Sequence, residues 1–288
     1  KYLGVHIQAD GGMTSQYNPL LTKSTHYAKA IAACPLTRTG AGDAYFTVYL
    51  PAITYSLKAS SLSVEELEKI QSKATQTFLN KMGYHRTTPH AVVYGPNHFG
   101  GYGFRHLATE QGCGAAQRLV AHYRARTSLG RSYQISLEVY QLVCGLSRPA
   151  LEDTRPVGGT RNRYFDSLRE SLRCAKATIE LEDAWTFPAL RRGDVHLMDI
   201  ICQSCTMTEQ ETFNYVRQYL RVTTLSQLRD NDGKTFLLCA FGYHNERGYP
   251  ELWRIAGTSL KWPDIPPPTT RQFKAWRHLL ETHFSSQR

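Results

Sequence analysis

Apolar side chains recur at three- and four-residue steps over much of the chain, which is the spacing of one buried face of an α-helix. The clearest case begins after Ser63, where Glu66 stands at the capping-box position, and stops before Gly83. The apolar positions share one side and lysines occupy the other; the apolar set is Val64, Leu67, Ile70, Ala74, Phe78 and Met82. The pattern predicts an amphipathic helix from Val64 to Met82.

Similar periodicity predicts helices on both sides of this one. Thr14 to Ala33 forms a helical pattern that Pro35 ends, and residues 39–42 are expected to be a flexible link. An aromatic-rich segment with Pro51 in its middle then predicts a broken, buried helix. Thr208 and Glu211 repeat the capping-box spacing. The other predicted helices cover residues 105–126, 134–146, 163–182, 194–205, 209–221 and 270–284.

Strand signals are few. Residues 1–8 alternate apolar and polar positions, and residues 235–243, TFLLCAFGY, form a second strand-like run. Because a short strand needs a neighbour, we expect the partner of residues 1–8 to lie upstream, in a longer polypeptide of which this chain is a piece. The predicted fold class is mainly α: a helical bundle with a short N-terminal strand, followed by a second, mostly helical domain with a minor β element.

Composition supports a division into domains. Residues 147–162 are rich in proline, glycine and charge, which is typical of a linker. The predicted organisation is therefore a strand and turn over residues 1–12, a helical domain over residues 13–146, the linker, and a second helical domain over residues 163–288. With 288 residues the chain is long enough for two ordinary cores.

The charge is positive and unevenly distributed along the sequence. The chain carries a formal net charge of +10; residues 1–150 hold 15 Lys/Arg against 7 Asp/Glu, and residues 151–288 hold 19 against 17. A positive bias favours a polyanionic partner. The chain contains no apolar run of the length that spans a bilayer and no apolar leader, so we expect no membrane partner.

The cysteines and histidines give weaker signals. Seven cysteines, mostly within apolar helical patterns, are typical of reduced thiols in an intracellular compartment, nucleus or cytoplasm. Cys202 and Cys205 have the spacing of half a zinc site without a second tight pair, so we interpret them as buried thiols. The sequence contains no H-E-x-x-H motif, no G-x-S-x-G motif and no P-loop. No catalytic, metal or cofactor residue is predicted.

The basic positions are the strongest candidates for a binding surface. Lys69, Lys73 and Lys81 lie on the polar side of the predicted helix, and Arg86 follows its end. Basic positions recur over neighbouring helices and are interleaved with tyrosines, a pattern expected of a surface that follows a phosphate backbone. An ordinary solvated helix face is the alternative. The nearby glycines, Gly100, Gly101 and Gly103, are expected to form a turn that needs positive φ.

The order of these segments resembles a known family. KYLGV, then YLPAITYSL, then FLNKMGYHRTTPHAVVYGP and GGYGFRHL together are similar to the C-terminal part of a retrotransposon-type reverse transcriptase, just after the catalytic carboxylates of the palm. The resemblance covers roughly the first 130 residues. It implies that Leu3 and Gly4 are the remnant of the hairpin that grips the primer, within residues 1–12, and that residues 13–146 are the thumb.

The resemblance also defines what this chain lacks. An RNA-directed DNA polymerase needs acidic residues that hold two metal ions, and no F/Y-x-D-D sequence occurs here. The parent protein would use Mg²⁺ with upstream palm and fingers domains, and this segment alone is predicted to be inactive. The expected function is to bind an RNA–DNA or DNA duplex through Leu3, Gly4, Lys69, Lys73, Lys81 and Arg86. The role implied for residues 163–288 is at most a connection segment.

Two alternatives stay open at this point. The chain could be a helical protein-interaction scaffold whose basic surface binds acidic proteins. It could also be an independent hydrolase or transferase, an alternative that only the scattered histidines support.

Overall fold

The computed structural model describes residues 5–6, 8, 11–230, 232–241 and 260–284. These residues are mainly helical, which confirms the predicted fold class at that level. The chain divides into two compact units, Lys1–His122 and Tyr123–Arg288. The described part of each unit contains helices and turns, and the only β-pairings within the described residues of the second unit are two isolated bridges, His196 with Thr224 and Arg229 with Phe236.

The first unit is built from six α-helices within its described residues. They are α1 (Thr14–Ala33), α2 (Arg38–Ala44), α3 (Leu50–Leu57), α4 (Val64–Lys81), α5 (His90–Val93) and α6 (Leu107–Arg124), of which the last crosses the unit boundary. The predicted bounds of α1 are confirmed, as is the Ser63–Glu66 capping box of α4. Gly83 has φ +82° directly after α4 and confirms the predicted stop.

The aromatic segment around Pro51 is helical but irregular, as the sequence predicts. A π-helical turn over Tyr45–Tyr49 connects α2 to α3, so both tyrosines point into the core. Their rings stack at 5.7 Å, and each contacts Phe78 of α4 at 5.2 and 5.4 Å respectively. Phe104 lies 4.3 Å from Tyr45 and closes the cluster. An aromatic core therefore holds α2, α3 and α4 together.

Polar groups inside this core have partners. Ser24 of α1 bonds both the Tyr49 hydroxyl, at 3.0 Å, and the carbonyl of Ile70 in α4. Gln111 accepts a bond from the amide of Leu62 and donates one to the Leu62 carbonyl. Buried polar groups cost little when they are satisfied in this way. The loop that enters α4 is fixed to α6 as a result.

The second unit contains α7 (Ser128–Cys144), α8 (Arg163–Ala175), α9 (Leu197–Ser204), α10 (Met207–Leu220) and α11 (Thr270–Leu279) among its described residues. Two arginines are buried at its centre. The Arg217 guanidinium is fully buried and donates to the carbonyls of Leu142 and Val143 at the end of α7, and to that of Val222. It thereby caps α7 from α10.

Arg169, on α8, satisfies backbone carbonyls of the segment that follows α7. It donates to the carbonyls of Ala150 and Asp153, at 2.8 and 2.7 Å, and to that of Arg155. Residues 147–162 are consequently folded inside the second unit, and Ala150, Leu151 and Val157 are buried there. The unit boundary lies between His122 and Tyr123 instead of in this segment. The turns of residues 147–162 can be buried because the Arg169 guanidinium satisfies carbonyls of this segment.

Several local predictions are corrected. Residues 39–42 belong to α2, which Thr37 caps through the amide of Gly40. Leu238–Phe241 is a 3₁₀ turn, so this half of the strand predicted over residues 235–243 is wrong, and residues 242–243 lie outside the described part. The capping box of α10 is Thr206 with Glu209, two residues before the predicted pair. The predicted strand over residues 1–8 lies mostly outside the described residues.

Candidate nucleic-acid interface

Lys69 and Lys73 are exposed on α4. They are four residues apart and therefore adjacent on one helix face. This face is opposite the apolar side of α4, which packs against α1 and the aromatic core. Two acidic residues are exposed on the same helix: Glu65 lies one turn before Lys69, and Glu68 directly precedes it. The N-terminal half of α4 thus presents both signs of charge, and only the part from Lys69 onward is basic.

Lys81 lies at the other end of α4 and is half-buried. Its ammonium donates to the carbonyl of Cys34 at 2.8 Å, just past the C-terminus of α1. A cation at this place is favoured by the dipole of α1. Lys81 therefore joins α1 to α4 in addition to contributing charge.

Arg86 is exposed in the link after α4, and the structure adds a neighbour that sequence reasoning missed. The Arg38 guanidinium lies directly over Gly83, so close that a Cβ at this glycine would be 2.7 Å from Nε of Arg38. The positive φ is what requires glycine at position 83, because the end of the Arg38 side chain could move away from a Cβ. Arg38 precedes Arg86 by 48 residues, and nothing in the sequence indicates that the two lie at the same end of α4.

Net charge does not distinguish the two units. Lys1–His122 holds 11 Lys/Arg and 6 Asp/Glu, a net +5, and Tyr123–Arg288 holds 23 and 18, also +5. The local distribution does distinguish them. From Lys69 to Thr109 the chain has five Lys/Arg and four His and no acidic residue. The basic surface is therefore a property of α4 and the loops that follow it, rather than of a whole half of the chain.

The loops after α4 carry aromatic and imidazole groups. Tyr84 and Tyr102 stack face to face with ring centroids 3.6 Å apart. Tyr94 accepts a bond from Gln71 of α4 at 3.1 Å, and the His106 ring meets it edge-on at 5.0 Å. Burial lowers the pKa of His106, which is half-buried, so this imidazole is neutral at pH 7. The exposed cations carry the positive charge.

The predicted glycine turn with positive φ is confirmed at two of its three glycines. Gly100 and Gly103 have φ values of +81° and +68°. Gly101 has another role: a Cβ there would stand 2.1 Å from the carbonyl oxygen of Gly95, so the two backbone segments touch. Leu3 and Gly4, the other predicted binding residues, lie outside the described residues.

The described residues contain no group of three or more His, Cys, Asp or Glu side chains that could hold a metal ion. Cys202 and Cys205, predicted to be buried, are only half-buried, and partial burial raises the pKa of Cys202 to about 11, so this thiol is neutral. The acidic pair at Glu152 and Asp153 is also structural. Asp153 is buried and accepts two bonds of 2.9 Å from the Arg155 side chain, which also bonds Asp199.

A groove of about 770 Å³ lies within the second unit, between α8, α10 and the start of α11. Sequence reasoning did not predict it. Three arginines and three acidic residues line it, namely Arg155, Arg161, Arg169, Asp166, Glu170 and Glu211. Because these charges balance, the groove does not favour a polyanion over a neutral or zwitterionic ligand.

No helix among the described residues combines the length and apolar character needed to cross a bilayer. No model of a known protein family matches the chain, and neither a curated protein nor a solved structure matches it.

Proposed function

We propose that the first unit is the thumb-like part of a retrotransposon-type RNA-directed DNA polymerase, and that it holds the template–primer duplex by binding its phosphates. The observation that carries this proposal is the acid-free stretch from Lys69 to Thr109 with its exposed cations. The order of sequence motifs in the first 130 residues supports the family. The charge distribution supports the ligand.

The geometry of α4 suits a phosphate backbone. Lys69 and Lys81 are separated by about 18 Å along the helix axis, the rise of about five base pairs of a duplex, and by about 120° around it, so Lys81 lies off the face of Lys69 and Lys73. Lys69 and Lys73 serve one end, and Arg86 with Arg38 serves the other. The aromatic core fixes α4 in the unit, so the cations are presented by a rigid helix.

Polymerisation would depend on the rest of the parent protein. Upstream palm and fingers domains would supply the carboxylates and the Mg²⁺ that the reaction needs. The described residues do not fit such a metal site, so no step through a metal is derived for this chain. In this proposal the chain binds duplex and contributes Leu3 and Gly4 to the primer grip, and it does not polymerise alone.

A salt titration of duplex binding tests the proposal. Filter binding of the full chain to an RNA–DNA hybrid should give affinity that falls steeply with salt. In the triple variant Lys69→Gln, Lys73→Gln, Arg86→Gln, the slope of log K against log salt should decrease by about 0.9 for each phosphate that the protein no longer neutralises. Lys81→Gln should change the slope least, because the Lys81 ammonium is already bonded to a carbonyl.

A matched variant separates the site from overall charge. Arg163, Lys176 and Arg192 are exposed cations of the second unit, and their replacement by Gln removes the same net charge. The slope should stay at its wild-type value in this control. An absence of hybrid binding, or an equal decrease of the slope in both triple variants, would refute the proposed function.

One observation favours the scaffold alternative as a second candidate. Val48 and Tyr55 are 49 and 62% exposed, and they are seven residues apart, so they share one face of the irregular helix. An apolar face of this kind is suited to a protein partner. If an acidic protein binds the basic surface and a nucleic-acid duplex does not displace it, the scaffold function is the correct one.

A further inference from the structure

Phe99 is a large apolar residue of the first unit that is not packed into its core. Its side chain is 82% exposed, more than any other large apolar residue of the described chain. It lies on a 3₁₀ turn, Asn97–Phe99, between Pro96 and Gly100. Its immediate neighbours along the chain, His98 and Gly100, are polar or small.

The loop that carries Phe99 is held in one conformation by its backbone. We define it as residues 95–103. The amides of Tyr102 and Phe104 donate to the carbonyls of Val92 and Val93, at 2.8 and 3.1 Å, and Gly103 donates to Gly95 at 2.9 Å. Val93 and Phe104, on either side of the loop, are buried in the core of the unit. The loop thus presents an apolar ring to solvent from a fixed base.

The loop lies beside the basic surface. Tyr102, three residues after Phe99, stacks on Tyr84, two residues before Arg86. The rings of His98 and Phe99 are 4.2 Å apart. The whole loop falls inside the acid-free stretch, so no carboxylate of its own would repel a phosphate. An aromatic face next to cations is the arrangement with which proteins bind single-stranded nucleic acid.

A nucleobase fits this loop better than a protein does. A protein interface gains most from several apolar groups that are buried together in a pocket, and in this loop the one exposed large apolar side chain is that of Phe99. A base needs only one flat face, and its phosphate can reach the adjacent cations. A rigid loop reduces the entropy lost when the ring is covered.

We propose that Phe99 stacks on an unpaired nucleobase that adjoins the bound duplex. The ligand of the first unit is then a junction between paired and single-stranded nucleic acid, instead of a uniform duplex. This inference rests on the proposed function and makes it more specific. It assigns the phosphates of the paired part to Lys69, Lys73 and Arg86 and the first unpaired base to Phe99.

Two ligands test the inference with the full chain. One is a blunt RNA–DNA hybrid, and the other is the same hybrid with a single-stranded extension whose first unpaired base is 2-aminopurine. The extended ligand should bind at least about fivefold more tightly, the effect of one stacked base, and its 2-aminopurine fluorescence should be quenched on binding. Phe99→Ala should abolish the preference and the quenching, while affinity for the blunt hybrid and its salt slope stay unchanged.

Three further variants define the cause. Phe99→Trp keeps an aromatic face and should retain the preference. Phe99→Leu keeps apolar volume without that face and should behave like Phe99→Ala. Tyr55→Ala removes an exposed ring from α3, outside the loop, and should leave the preference intact.

The outcomes separate this inference from the proposed function. If the chain binds the blunt hybrid without preference for the extension, or if Phe99→Ala keeps the preference, the inference is wrong and the duplex-binding function stands. If Phe99→Leu matches the wild type, stacking is refuted. If neither ligand binds, both proposals fail.

Discussion

The two units fold around different kinds of interior. The first is held by aromatic rings, with Tyr45, Tyr49 and Phe78 packed against one another. The second also has an apolar core, but it buries two guanidinium groups as well, those of Arg169 and Arg217, which donate to backbone carbonyls at the end of α7 and in the following turns. Apolar burial depends mainly on area and volume, whereas a buried guanidinium depends on the positions of its acceptors. A substitution that keeps the volume of a side chain but removes its donors should therefore destabilise the second interior more than the first.

The tryptophans provide a probe that separates the units. All four lie in the second unit, at positions 185, 253, 262 and 276, and the first unit has none. Tryptophan fluorescence thus reports the unfolding of Tyr123–Arg288, and hydrogen exchange reports both units.

The largest effect is expected from Phe78→Ala in the first unit. Phe78 is fully buried between two tyrosine rings, and its truncation should lower the free energy of unfolding by about 3–5 kcal/mol. Hydrogen exchange should increase in α1, α3 and α4, and the tryptophan transition should not move. Phe99→Ala is the matched control, because that ring is exposed. Equal shifts for both phenylalanines would contradict an aromatic core.

Arg217→Met should destabilise the second unit by about 2–4 kcal/mol. Methionine fills similar space but leaves the carbonyls of Leu142, Val143 and Val222 without their donor, at about 1–3 kcal/mol for each buried group left unsatisfied. Burial lowers the pKa of Arg217 to about 10, so it is charged at pH 7, and relief of its desolvation offsets part of the loss.

Tryptophan fluorescence in urea measures the change. Arg192→Met, at an exposed position, should stay within about 0.5 kcal/mol of the wild type. If Arg217→Met is equally neutral, the guanidinium is not what holds α7 to α10.

Acid should weaken the second unit before the first. Burial alone would raise the pKa of Asp153, but bonds from the Arg155 side chain and backbone outweigh it and hold the pKa below its usual value. A carboxyl group with a lowered folded-state pKa contributes stability above its unfolded value of about 3.9, and this contribution is lost as pH falls through the folded pKa. The pKa of Asp194 is lowered in the same way by bonds from Leu190 and Ser226, against burial.

Urea unfolding followed by tryptophan fluorescence at pH 6 and below pH 4 measures this. Asp153→Asn should flatten the pH dependence and be less stable at pH 6. A first unit that loses its exchange protection at a higher pH than the second would contradict the assignment.

The smallest effect is expected where the units are alike. Each has a full capping box, Ser63 with Glu66 on α4 and Thr206 with Glu209 on α10. Ser63→Ala and Thr206→Ala should each cost about 1 kcal/mol, and each only in its own unit. A loss in the other unit, measured by hydrogen exchange, would show that the two do not unfold separately.

Local features were predictable from the sequence where neighbouring residues determine them. The bounds of α1, the cap of α4, and the φ values at Gly83 and Gly100 follow from short-range signals. Residues 147–162 were not predictable, because composition indicates a linker and the burial of the Arg169 guanidinium that bonds its carbonyls has no sequence signal. Charged residues in helices are normally assigned to solvent, so the buried positions of Arg169 and Arg217 gave no signal.

The candidate interface shows the same division. The exposure of Lys69 and Lys73 followed from helical periodicity. The close approach of Arg38 to Gly83, the bond from Lys81 to Cys34 and the rigid presentation of Phe99 depend on pairs of segments that meet only in three dimensions.

The π-helical turn over Tyr45–Tyr49 limits how the length of this chain can vary. A π turn holds about one residue more than an α turn, so a single-residue deletion there would produce one continuous α-helix from α2 to α3. It would also rotate α2 by about 100° about that axis and remove the fully buried Ala41 from the interior. Variation among descendants of this sequence should therefore include many exchanged side chains in this segment and very few insertions or deletions.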